Sequence, residues 1–422
     1  IIGTLLSGIY PALVLSSFKP VSVLKGKLKS TTSGILLRKG LVVTQFMASI
    51  ALIAGTFIIY RQLGYMMSQS LGMNINQVLV LDRPGIAPND RKDRKVYTNA
   101  IDLFRDELKK NPNIEAVSTS VTIPGHQRAF KVTIRKYGGN SNDSTIVRIN
   151  SMDYDFLNVF KMNLVAGRNF SRQFPADPDT SIILTESTTR LLGYKKPQDA
   201  VGKTLIITEF NDFKPIVAGV VNDYHQVSLK KPIEPTAFFC SPYDGEYYSI
   251  RVRTDHLAQT LEHVQKSWTK AFPGNPFEYF FLDEYFNQQY KNERRFGELF
   301  TTFAILAIMI SCLGLFGLSA FTASQRIKEI GIRKVLGASI TDITTMLSKD
   351  FLKLVLISIL IASPLTWFIM NIWLRDFAYR INISWWVFVT AGITALLIAL
   401  LTVSFQAIKA ALTNPVKSLR SE

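Results

Sequence analysis

The chain of 422 residues carries 48 Lys and Arg against 32 Asp and Glu, a formal charge of +16, with 47% hydrophobic residues and two cysteines. A soluble chain this basic would point to nucleic acid, but residues 61–298 hold only four of the sixteen excess positive charges, and the other twelve sit around apolar runs. That distribution excludes nucleic acid as a partner and marks a membrane protein with Lys and Arg concentrated in its cytoplasmic loops.

In chain order, residues 1–18 form the tail of an apolar run with neither an initiating Met nor a basic leader region. They read as the end of a transmembrane helix in a longer protein. A cytoplasmic basic linker follows at 19–40, with Lys19, Lys25, Lys27, Lys29, Arg38 and Lys39 and no acid. Residues 41–60 are apolar and long enough, at ~1.5 Å per residue, to cross a hydrocarbon core of ~30 Å. Positive-inside bias then places 61–298 outside, as one large domain.

Within that domain FKVTIRK, TIVRIN, TLIIT, PIVAGVV and YYSIRVR are expected as strands, being β-branched or aromatic and bounded by turn residues. VYTNAIDLFRDELKK is expected as a helix with Val96, Ala100, Phe104 and Leu108 on one face. Leu257, Leu261, Val264 and Trp268 form a second helical face behind Thr254 and Asp255 as caps. The fold class is therefore a helical membrane bundle, four complete helices plus the end of a preceding one, with a large α+β domain inserted after the first complete helix. Residues 282–298 contain few breakers and are expected to run as one long helix into the next membrane span.

The remaining spans lie at 300–321, 351–370 and 385–405, within a membrane domain at 299–405, followed by a cytoplasmic tail at 406–422. The loop 322–349 carries Arg326, Lys328, Arg333 and Lys334, and the tail carries Lys409, Lys417 and Arg420, so both belong inside. Trp373, Tyr379, Trp385 and Trp386 gather at the short outer turn, where interfacial aromatics are favoured. The middles of the spans contain no ionisable residue, which disfavours an ion channel or a proton-coupled transporter. They do contain a stripe of small residues, Ala304, Ala307, Ser311 and Gly314, that allows close helix packing, either inside one bundle or at a dimer seam. Pro364 is expected to kink its helix.

No catalytic constellation, cofactor motif or metal-binding spacing is visible. Cys240 and Cys312 suit neither a disulfide nor a metal site. Gly202–Lys203–Thr204 mimics the end of a phosphate-binding loop, but Pro197 stands where that motif needs glycine, so a turn before TLIIT is the better reading. His126, His225, His256 and His263 form no metal motif. Asp283 and Glu284 suit the first turn of a helix, where carboxylates favour the dipole.

One motif is specific. Residues 322–343, TASQRIKEIGIRKVLGASITDI, resemble the cytoplasmic loop of the FtsX-like, MacB-type permeases, the type VII ABC transporters. The match falls at Arg326, Lys328, Glu329, Ile330, Gly331, Ile332, Arg333, Lys334, Gly337 and Ala338. LRKGLVVTQFMASIALIAG also resembles the family's helix before its periplasmic domain. The resemblance implies that this loop is a short coupling helix docking on a partner ATPase, that 61–298 is a MacB-like periplasmic core domain, and that 299–405 is an FtsX-like permease domain. Physically, Arg326, Glu329 and Arg333 recur at helical spacing, Ile327, Ile330 and Val335 give an apolar face, and Gly331 and Gly337 permit close backbone approach.

The resemblance further implies a non-enzymatic permease subunit in the cell inner membrane, working by mechanotransmission with a separate cytoplasmic ATPase to export or extrude substrate. Two other readings share the architecture: a lipoprotein-releasing complex, and a non-transporting regulator of a cell-wall hydrolase or sensor. Implied partners are the ATPase, the lipid bilayer, an upstream permease repeat or a second permease copy, and a periplasmic adaptor or outer-membrane protein. SSFKPVSVLKG at 16–26 matches ALTNPVKSLRS at 411–421 in register, with Pro20 on Pro415 and Leu24 on Leu419. The chain is accordingly expected to be the C-terminal half of a tandemly duplicated permease.

Overall fold

The computed structural model describes residues 32–85, 91–126, 130–140 and 143–411. The expected helix end at 1–18, the first part of the basic linker and the tail beyond 411 lie outside the described residues. The chain divides into two compact units. Ile1–Ile58, Glu298–Asn371 and Ile383–Glu422 form the membrane unit, and Ile59–Gly297 with Ile372–Asn382 form the outer unit.

The longer helices are α1 (Thr32–Ser68), α2 (Arg91–Lys109), α3 (Leu257–Ala271), α4 (Lys291–Gln325), α5 (Ile327–Val335), α6 (Ile340–Leu374) and α7 (Trp386–Ala411). Among the described residues four stretches are long and apolar enough to cross a membrane: Leu36–Ser68, Leu282–Gln325, Ile340–Leu374 and Trp386–Lys409. α1 begins inside the expected linker, because no proline interrupts 32–40 and Leu36, Leu37 and Arg38 are good helix formers. It also continues past residue 60, since Leu63 and Met66 are buried in the core of the outer unit. Before α4 the path is not one uniform helix: a turn of α-helix at Leu282–Asn287 and a 3-10 turn at Gln288–Tyr290 precede it. Pro364 lies inside α6.

The outer unit is built on an 11-stranded sheet. Its strands are β1 (Val78–Asp82), β2 (Ile114–Ser120), β3 (Phe130–Lys136), β4 (Thr145–Met152), β5 (Leu164–Gly167), β6 (Ser181–Thr185), β7 (Leu205–Ile207), β8 (Ile216–Val221), β9 (Thr236–Cys240), β10 (Tyr247–Val252) and β11 (Tyr279–Phe281). The order is β11-β1-β10-β2-β4-β9-β6-β8-β5, with β3 pairing β4 and β7. β4–β9 and β6–β8 are parallel, and the other pairs are antiparallel.

Both faces of β1 are covered, which is why VLVL reads as an unbroken apolar run rather than an alternation. Leu79 and Leu81 join the core under α2 and α3, whereas Val78 and Val80 join the core that holds Phe286, Tyr290 and Phe377. Under α2 and α3 the aromatic rings of Phe104, Tyr248, Trp268 and Phe272 pack at centroid distances of 4.8–5.9 Å. The buried face of α2 is Tyr97, Ile101, Phe104 and Leu108, while Val96 is 67% exposed. This corrects the first half of the expected face by one position, since Tyr97 and Ile101, which offer larger apolar bodies than Val96 and Ala100, are the buried residues there and Ala100 is only half-buried. α3 is preceded not by a Thr254 or Asp255 cap but by His256 in a left-handed conformation (φ 56°) without a side-chain capping bond.

The outer turn 372–382 packs with the outer unit: Phe377 is buried in that unit's core with Trp373 and Tyr379 packed against it.

Candidate functional site

The conspicuous feature of the membrane unit is α5 and the turn that follows it. Gly337 adopts φ +92° and nothing approaches the position of a Cβ there. Its N–H donates to the Lys334 carbonyl (3.2 Å) and the Ala338 N–H donates to the Arg333 carbonyl (2.9 Å). This is a Schellman ending, which satisfies two orphan carbonyls and requires the left-handed residue that only glycine adopts freely. Gly337 therefore ends the helix. Two residues on, Ser339 starts α6 with a capping box. Its Oγ donates to Asp342 Oδ2 (2.6 Å), its N–H donates to the same oxygen (3.0 Å), and the Asp342 N–H donates back to Ser339 Oγ (3.2 Å). The segment G-A-S thus stops one helix and starts another with almost no slack.

The side chains of α5 divide into an anchored face and an exposed one. Ile330 is buried with Ile343, Leu347 and Ala407, and Gly331 beside it is buried too. Ile327, Ile332, Val335 and Leu336 are 40%, 52%, 67% and 80% exposed. Of the charged residues, Arg326 pairs with Asp350 on α6 at 3.2 Å, and Arg333 pairs with Glu329 one turn earlier at 2.9 Å. Glu329 and Arg333 remain about half exposed, whereas Arg326 serves to fix α5 against α6. Lys334 is partly buried and Ala338 half-buried; the Lys328 side chain lies outside the described residues. The sequence named the cluster but not the partners that orient it, Asp350, Ser339 and Asp342.

The small residues of α4 face α1 within the membrane unit. Ser311 Oγ and Ser49 Oγ lie 3.0 Å apart and both are buried. A Cβ on Gly314 would meet the Gln45 carboxamide, and one on Gly55 would meet the Phe300 ring at 3.0 Å. Ala304 is buried and Ala307 half-buried on the same stripe. α6 joins through Ser358, whose Oγ donates to the Val43 carbonyl (3.0 Å). With lipid replacing water there is no hydrophobic drive between helices, so close approach and such hydrogen bonds carry the association.

Among the described residues no group of three or more His, Cys, Asp or Glu is arranged to hold a metal. Burial pushes the Cys240 thiol up to about 12, so it is inert rather than nucleophilic. The Gly202–Thr204 turn, with Gly202 at φ +76°, leads directly into β7.

Two family models match this chain. FtsX-like permease C-terminal covers residues 301–415, and MacB-like periplasmic core domain covers 46–260. The macrolide export ATP-binding/permease protein MacB of Bartonella quintana (strain Toulouse) is 22% identical over 287 residues, 65% of this chain and 40% of that protein. Its counterpart in Sodalis glossinidius (strain morsitans) is 25% identical over 217 residues, 48% of this chain and 32% of that protein. The chain thus spans well under half the length of these relatives. Among solved structures, the periplasmic region of MacB from Actinobacillus actinomycetemcomitans is 15% identical, covers 54% of this chain and 98% of that one, and has a TM-score of 0.36. The extracellular domain of the ABC-type transporter YknZ from Gram-positive bacteria is 14% identical, with coverages of 48% and 97% and a TM-score of 0.32.

Proposed function

The chain belongs to the family of FtsX-like permeases with a MacB-like periplasmic core domain, and from that premise we propose that it is the membrane subunit of an ABC transporter driven by a separate cytoplasmic ATPase. It is an inner-membrane protein whose outer unit is periplasmic. The observation that carries the proposal is α5: a nine-residue helix held by the Schellman turn, the Ser339 box and the Arg326–Asp350 pair, with Ile332, Val335 and Leu336 left exposed. Apolar side chains kept at an exposed, rigid helix surface beside Glu329 and Arg333 suit a soluble partner with a matching groove.

In this reading ATP binding moves the partner against α5, α5 shifts the membrane helices, and α4 carries the displacement outward. α4 is 35 residues long, about 52 Å at 1.5 Å per residue, and runs without proline from one unit into the other. Substrate is then handled on the periplasmic side, which accords with spans that offer no charged pathway.

The test is co-purification of the ATPase with the tagged chain from native membranes. Exchanging Glu329 and Arg333 with one another preserves an intrahelical ion pair but inverts the surface pattern, and Val335→Asp places a charge on the exposed apolar edge. Both variants are expected to insert normally and to lose the ATPase; full complex formation in either overturns the docking assignment.

A further inference from the structure

Gln62 is fully buried in the part of α1 that belongs to the outer unit. Its carboxamide is engaged at both ends by the turn 372–382: Nε2 donates to the Tyr379 carbonyl (2.8 Å) and the Ile381 N–H donates to Oε1 (2.9 Å). One side chain thereby pairs with residues i and i+2 of a main-chain segment, as a neighbouring strand would.

The same turn is paired to the loop 222–231 that leaves β8. The Ala378 N–H donates to the Lys230 carbonyl (3.0 Å), the Tyr379 N–H donates to the Leu229 carbonyl (3.3 Å), and the His225 ring packs edge-on to Tyr379 at 4.8 Å. That loop also grips the stem before α4 and the first turn of α4 itself. The Ser228 N–H donates to Gln289 Oε1 (2.9 Å), the Leu229 N–H to Tyr290 Oη (3.2 Å), and Lys230 Nζ pairs with Glu293 (3.1 Å). Towards the sheet, Gln226 Nε2 donates to the Ile123 carbonyl (2.6 Å) and the Gly125 N–H donates to the Gln226 carbonyl (2.7 Å).

We infer that Gln62 is a positioning residue for transport: it joins the outer end of α1 to a hydrogen-bonded junction, centred on loop 222–231, that already holds the α4 stem and the α6–α7 connection. The inference rests on the mechanotransmission reading above. Leu63 and Met66 alone would hold α1 by apolar packing, which is non-directional; the two amide bonds of Gln62 fix its orientation, so that displacement of α1 is delivered to the sheet rather than absorbed at the junction.

The test uses the full chain with its co-purifying ATPase. Hydrogen exchange of the outer unit is followed with and without the non-hydrolysable analogue AMP-PNP. Gln62→Met removes both bonds at similar volume, and Gln62→Asn keeps the amide but shortens its reach, guarding against failure of Gln62→Met to fold. Both are expected to retain the ATPase and to lose at least fivefold of the nucleotide-dependent change in the outer unit. A lowered melting temperature with a wild-type nucleotide response means a merely structural role and overturns the inference.

A second arm is independent of any partner. In the variants the amides of Ala378, Tyr379 and Ile381 should all exchange at least tenfold faster, and acceleration at Ile381 alone overturns the junction. Absence of any ATPase with the wild-type chain would instead refute the proposed function and with it the transport role, leaving this second arm to decide only whether Gln62 holds the junction.

Discussion

Arg105 on α2 and Asp153 after β4 form an ion pair at 2.6 Å with both side chains 2% exposed. Arg105 also donates to Thr119 Oγ1 (2.8 Å) and the Pro242 carbonyl (3.0 Å), while Asp153 accepts from Ser118 Oγ (2.6 Å) and the Thr119 N–H (3.0 Å). Breaking such a pair strands a buried charge, so Arg105→Met should cost about 3–5 kcal/mol, and Arg105→Met with Asp153→Leu should recover much of it. Burial pushes the Asp153 carboxyl up, with Arg105 the largest opposing influence. Without Arg105 the folded pKa rises further, so the deficit of Arg105→Met is smallest at and below the ordinary Asp range and grows as pH climbs above that range, through the raised folded value. Urea unfolding followed by the fluorescence of the buried Trp268 at pH 4 and pH 7 checks both statements.

Asp177 sets an acid limit of the opposite kind. Burial raises its pKa, but the bidentate Arg168 pair (2.7 and 2.8 Å), Ser181 Oγ (2.8 Å) and the Ser171 N–H (3.1 Å) together hold it below the ordinary value. Its stabilisation is complete above the unfolded value of about 4 and disappears as pH falls through the lower folded value. Asp177→Asn should be less stable at pH 7 and should lose less on acidification below pH 4 than the wild type, measured as melting temperature against pH.

Close packing of α1 on α4 predicts a graded response at Gly314. In Gly314→Ala the new methyl meets only the end of the Gln45 side chain, which can turn away, so the change should be small. Gly314→Leu overfills the seam and should cost about 1–3 kcal/mol. Ser311→Ala, which removes the bond to Ser49, should cost about 0.6 kcal/mol, the usual worth of a hydrogen bond between membrane helices. Thermal unfolding in detergent ranks the three.

At the end of α5 the penalties come from backbone and cap rather than contacts. Gly337→Ala should cost about 1 kcal/mol, since φ +92° is unfavourable for any side chain even in open space. Ser339→Ala removes the N-cap of α6 and should also cost about 1 kcal/mol. Each variant should accelerate hydrogen exchange at Gly337 and Ala338 while leaving the outer unit unchanged.

Much of the architecture was legible along the chain. The spans could be read because lipid demands long uncharged runs, and β3, β4, β8 and β10 could be read because their β-branched residues stand between turn residues. The α5 cluster was legible because charged residues repeat at helical spacing next to glycine. Strands β1, β6 and β9 escaped notice because, covered on both faces, they show no alternation. Gln62 escaped because a single glutamine near the end of an apolar helix has no pattern to belong to.

By itself the order of residues determined which segments enter lipid, which side their basic loops occupy, and where α5 must stop, since these follow from local hydropathy, charge and the conformational freedom of Gly337. Only the tertiary structure decided that the turn 372–382 is part of the outer unit, that Ser311 and Gly314 face Ser49 and Gln45, and that Arg326 is spent on Asp350. Each of these joins groups separated by tens to hundreds of residues, and such pairings are selected by shape and by the need to satisfy buried polar atoms rather than by any local preference of the chain.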